Sequence, residues 1–94
     1  MYVLGTAVVY VVYSWDGYEN DFCIHKVFPT EQSAKEYCQK RNKEECEDFR
    51  DGTHRYIDEV GNVDFNETEG DDFYYWYSST ILVKPNEGES DGNN

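Results

Sequence analysis

The sequence predicts an α+β domain: an antiparallel sheet of three to four strands with one helix packed on one face, in the order β-β-α-(β)-β. Three observations carry this. An apolar β-branched run occupies the N-terminal part, a capped amphipathic segment follows a second strand-like run, and a long aromatic run lies near the C-terminus. Runs rich in Val, Tyr, Phe and Thr between turn residues read as strands, and apolar positions spaced three and four apart read as a helix.

Each element has its own justification. Thr6 to Ser14 has almost no polar break, which predicts a central strand. Asp16-Gly17 lies in a turn that leads to a second strand, Phe22 to Phe28. Strict alternation there places Phe22, Ile24 and Phe28 on one face and Cys23, His25 and Val27 on the other. Thr30 is a good N-cap, and Glu31 sits in a first turn where the helix dipole favours negative charge. The helix is expected to continue to about Phe49 with Ala34, Tyr37, Cys38 and Arg41 on its inner stripe, stopped by Asp51-Gly52. His54 to Ile57 reads as a short strand and Gly61-Asn62 as a turn. Phe73 to Val83 is the last strand, and Pro85 ends it. One domain is expected over 1–85, followed by an acidic disordered tail over 86–94. The first strand should lie between the second and the last. A single helix can cover only one face, so self-association into a homodimer, with the long last strand as an exposed edge, is a further expectation.

Composition narrows the function. The chain has 94 residues, 17% of them aromatic, and a formal net charge of −12. That charge opposes direct binding to nucleic-acid phosphates or to an anionic membrane, and favours a basic protein partner. No apolar run reaches the length of a membrane span, and no leader pattern is visible. Cys23, Cys38 and Cys46 form no CxxC pair and no even framework, which reads as reduced thiols in a cytoplasmic protein.

The charge is unevenly placed. Residues 44–72 hold twelve acids, Glu44, Glu45, Glu47, Asp48, Asp51, Asp58, Glu59, Asp64, Glu67, Glu69, Asp71 and Asp72, against Arg50 and Arg55, so they carry −10 of the −12. These acids, with Tyr75 and Trp76 of the aromatic strand, are the candidate partner-binding residues. The plain alternative is a solvated acidic face that keeps the chain soluble. In the sharper form the carboxylates stand where a nucleic-acid-binding protein expects phosphates.

Catalytic and metal chemistry find little footing. Asp64 to Tyr75 begins like a calcium loop, but its glycine is one place late and its twelfth residue is Tyr75. Cys23 and His25 are two apart on a strand, with no third group or oxyanion donor in view. No phosphate-binding glycine loop occurs. The expectation is a non-enzymatic protein with no cofactor and no metal. Two further readings remain: a small-ligand or nucleotide-sequestering protein built on an aromatic platform, and a structural or assembly accessory.

The segment Val27-Phe28-Pro29-Thr30-Glu31-Gln32-Ser33-Ala34-Lys35-Glu36-Tyr37, preceded by the Tyr-Val-Val-Tyr strand, resembles an arrangement found in small uncharacterised bacteriophage and prophage proteins. The resemblance covers roughly residues 6–49. It implies a phage-type accessory protein that inhibits a host defence or transcription protein, and it carries over no site residue.

Overall fold

The structure is a computed structural model. It describes residues 5–84, with side chains from Ala7 to Ile81, so the tail expected over 86–94 lies outside the described residues. The elements are β1 (Gly5–Asp16), β2 (Asp21–Phe28), α1 (Glu31–Glu45), α2 (Glu47–Arg50) and β3 (Phe73–Lys84). The sheet is antiparallel throughout, in the order β2-β1-β3, with α1 on one face. The α+β architecture and the central place of the first strand are as the sequence predicts. The optional fourth strand shrinks to a single bridge, Ile57 to Val63.

Register assigns the faces. On β1, Tyr10, Val12 and Ser14 point toward α1, opposite Ser79, Tyr77 and Tyr75 of β3. Val9, Val11, Tyr13 and Trp15 point the other way, opposite Thr80, Ser78, Trp76 and Tyr74. In β2 the pairing slips: Val12 faces Lys26, but Tyr13 faces Ile24. His25 is the extra residue of a β-bulge. One unpaired residue moves everything beyond it to the opposite face. Phe22, Ile24 and Val27 therefore share the open face, and Phe28 turns to the helix, where its ring packs 5.4 Å from that of Tyr37. This corrects the strict alternation expected for the strand.

The helix starts as its cap predicts. Thr30 Oγ1 accepts the Ser33 amide at 3.2 Å, Glu31 lies in the first turn, and Lys43 in the last. Its buried stripe is Ala34, Cys38 and Asn42. The helix does not run unbroken to Phe49. Cys46 is extended (φ −85°, ψ 127°), and a separate turn, α2, follows it. The break lets the buried Cys46 thiol donate to Phe73 O at 3.2 Å and carries the chain around the edge of β3.

Two apolar clusters result. Val12, Ala34, Cys38 and Tyr75 fill the space between sheet and helix. Cys46, Tyr56, Ile57 and Val63 form the second, packed against Phe49, Phe73, Tyr74 and Trp76. Burial pushes the thiols of Cys38 and Cys46 up to about 12, so both stay protonated at neutral pH.

Asn42 joins helix, loop and sheet. Fully buried, its amide donates to Tyr75 O at 3.0 Å and to Gly61 O at 2.8 Å, and accepts the Tyr75 amide at 2.7 Å. It thus completes the outer edge of β3 as a neighbouring strand would. Gly61 has φ +103°, and a Cβ there would lie 2.5 Å from Gln39 O. Gly61→Ala should therefore destabilise by on the order of 2–3 kcal/mol, read as a lower urea midpoint at unchanged slope.

Candidate functional site

The acidic residues take three different roles. Asp48, 8% exposed, is turned inward: its carboxylate accepts the amides of Arg55, Tyr56 and Ile57 at 3.0, 3.0 and 2.8 Å. Its carbonyl accepts those of Thr53 and His54. Asp72, equally buried, binds the Arg55 guanidinium at 2.7 Å and the Glu69 amide at 2.7 Å. Tyr75 is 3% exposed and belongs to the core. These three residues are structural and are not open to a partner, because their polar atoms are consumed within the fold. Trp76 is half-buried, with the Phe65 ring edge-on at 5.9 Å.

A second group shapes turns or pairs locally. Asp58 accepts the amides of Val60, Gly61 and Asn62, all at 2.9 Å. Its partial burial raises the carboxyl, but these amides outweigh that and hold it below the usual aspartate range. Asp64 accepts the Asn66 amide at 3.1 Å. Glu44 stands 3.9 Å from Lys40. Glu59 and Glu67 are exposed. None of these five lines the groove described next.

The third group gathers. Glu45, Glu47, Asp51, Glu69 and Asp71 surround an open groove of about 660 Å³, with Asp48 and Asp72 in its wall. Arg50, Arg55, Thr53, Tyr56 and Phe73 complete the lining. Seven acids against two arginines give a formal charge of −5 (7 − 2). The groove forms because α2 and the segment after it fold back on the start of β3. Arg55 anchors that return, donating to Glu67 O at 2.6 Å as well as to Asp72.

Glu45 also faces a polar relay. Its two oxygens accept from Tyr75 Oη and Arg41 Nε, each at 2.7 Å, and Arg41 reaches Tyr37 Oη and Tyr75 Oη at 2.6 and 2.7 Å. Partial burial raises Glu45, yet these donors prevail and lower it overall. Burial together with the Glu45 hydrogen bond drives the Tyr75 phenol well above its usual range.

Among the described residues the nucleophilic side chains are held as follows. His25 Nε2 lies 2.8 Å from Ser14 Oγ, and Ser14 is buried beneath it. Cys23 is exposed, but the neighbouring Asp21 charge and the Cys23–Asp21 hydrogen bond at 3.6 Å raise its thiol, which makes the reactive thiolate scarcer. Among the described residues no three His, Cys, Asp or Glu side chains converge as a metal-ligand set, and no helix is long and apolar enough to cross a membrane.

Two features escaped the reading of the sequence. The double role of the acids, as turn-makers and as groove-liners, has no signature in spacing alone. The buried Asn42 could have been suspected, since it lies one helical turn beyond Cys38 on the apolar stripe. Comparison with protein-family models, with curated proteins and with solved structures finds no match to this chain.

Proposed function

We propose that this chain is a non-enzymatic binding protein whose acidic groove receives a basic protein surface. The supporting observation is the convergence of Glu45, Glu47, Asp51, Glu69 and Asp71 around one concavity, with only Arg50 and Arg55 to offset them. A concave surface of one sign focuses its field and attracts a partner of the other sign. In its concrete form the partner is a nucleic-acid-handling protein of the host cytoplasm. The carboxylates occupy its phosphate-binding surface, and the chain acts as a phage-type inhibitor, in line with the resemblance over residues 6–49. The aromatic-platform reading has less support, because Tyr75 is buried and Phe65 packs against the Trp76 ring.

The test is capture of host proteins on the immobilised chain at low and high salt, compared with two charge reversals. One variant carries lysine at Glu47, Asp51, Glu69 and Asp71. The other carries lysine at Glu19, Asp21, Glu31 and Glu36, none of which lines the groove. A basic protein should be retained by the parent and by the second variant, lost from the first, and released as screening shortens from about 10 Å at 0.1 M to about 3 Å at 1 M salt. Equal loss in both variants would reduce the groove to one part of a general negative surface.

A further inference from the structure

Among residues 7–81 the sheet face turned away from α1 carries no charged side chain. It consists of Ala7, Val9, Val11, Tyr13 and Trp15 of β1, Phe22, Ile24 and Val27 of β2, and Tyr74, Trp76, Ser78 and Thr80 of β3. This is unusual in a chain of which 30% is Asp, Glu, Lys or Arg. Phe22, Ile24 and Val27 are 55%, 58% and 52% exposed. The loop between α2 and β3 reaches only the end of this face, where Phe65 stands edge-on to Tyr74 and Trp76. The rest, around Val11, Tyr13, Phe22, Ile24, Ser78 and Thr80, forms a shallow apolar trough of about 490 Å³.

We infer that the chain forms a two-fold dimer by stacking this face on the same face of a second copy. The occupant follows from charge and area. Two chains of net charge −12 repel overall, and in a two-fold contact each patch meets its own copy, so a charged patch adds to that repulsion and this uncharged face does not. A basic partner finds nothing on it to pair with. Three strands about 4.8 Å apart, rising about 3.4 Å per residue, give a face of roughly 14 by 30 Å. That is on the order of 500 Å² of accessible surface per copy and about 1,000 Å² for the pair, the lower bound for a specific interface. β-Branched and aromatic side chains on an antiparallel face are also what aligned sheet stacking uses, at about 10 Å between sheets. None of these residues lines the acidic groove, so the dimer carries two open grooves.

Salt separates this inference from the proposed function, because the two respond with opposite sign. Screening weakens capture of a basic partner in the groove, but it relieves repulsion between two acidic copies and tightens the dimer. The experiment is sedimentation equilibrium of the full chain from low-micromolar to submillimolar concentration, at low and high salt. The expected mass rises toward twice 11.1 kDa, at severalfold lower concentration in high salt. Ile24→Lys and Thr80→Lys should each stay at 11.1 kDa with unchanged far-UV circular dichroism. Val60→Lys, which alters an equally exposed residue outside the sheet, should dimerise as the parent does. Should Ile24→Lys not fold, Thr80→Lys alone decides. A parent that stays monomeric throughout overturns the inference. So does a dimer that survives the face substitutions, since it would then pair elsewhere, for example along the free edge of β2.

Discussion

Asn42→Ala should be the most damaging single substitution on the surface of α1 that meets the sheet. The change removes one side chain but strands three backbone groups: Tyr75 N–H, Tyr75 C=O and Gly61 C=O. Each buried polar group left without a partner costs about 1–3 kcal/mol, so the total should reach about 3–5 kcal/mol. A domain of this size has on the order of 5–14 kcal/mol in all. Thermal unfolding should therefore fall by roughly 15 °C or more. Asn42→Leu, which refills the volume, should not restore it, because the loss is of hydrogen bonds. Recovery by leucine in a thermal melt would show that Asn42 acts by packing alone.

Asp48→Ala should come second, at about 3 kcal/mol, and its effect should be local. The carboxylate gathers three successive amides, and without it residues 55–57 lose their anchor. Hydrogen exchange should accelerate at Arg55, Tyr56 and Ile57 and through the cluster around Val63, while the amides of α1 and β1 keep most of their protection. Asp48→Asn, which retains an acceptor oxygen, should fall between the two. Glu47→Lys, one residue away and exposed, should change stability by no more than about 0.5 kcal/mol. A charge reversal that includes Asp48 would therefore disturb the fold as well as the surface, which is why the groove variant omits it.

The elements that were legible in the sequence are those whose signals are local. Thr30 with Glu31 announces α1, and Gly52 (φ +74°) marks the turn after α2. The run through Val8 to Tyr13 announces a central strand. What was not legible depends on distant partners. The break at Cys46 has no glycine or proline to signal it. It goes with the burial of Cys46 in the second cluster, beside Phe73 O, 27 residues away. Between residues 51 and 72 the sequence shows a short strand at His54 to Ile57 and a turn at Gly61-Asn62, but nothing local shows that Tyr56, Ile57 and Val63 build a second core there. The acids of residues 44–72 confuse composition-based reading, because Asp48, Asp58 and Asp72 spend their charge on backbone amides and on Arg55, while their neighbours stay at the surface. The groove was legible only as an excess of carboxylates. Which of them converge follows from the return path of the chain, which the Asp72–Arg55 pair holds.

The extra residue at position 25 makes that site tolerant of loss. With His25 deleted, Lys26 opposite Val12 would be followed directly by Ile24 opposite Tyr13, which is the pairing both already have. Phe22, Ile24, Val27 and Phe28 would keep their faces, and the hairpin turn would stay where it is. A single-codon deletion there would act like the removal of a comma: the ring against Ser14 and Tyr75 is lost, and the remaining words still read in order.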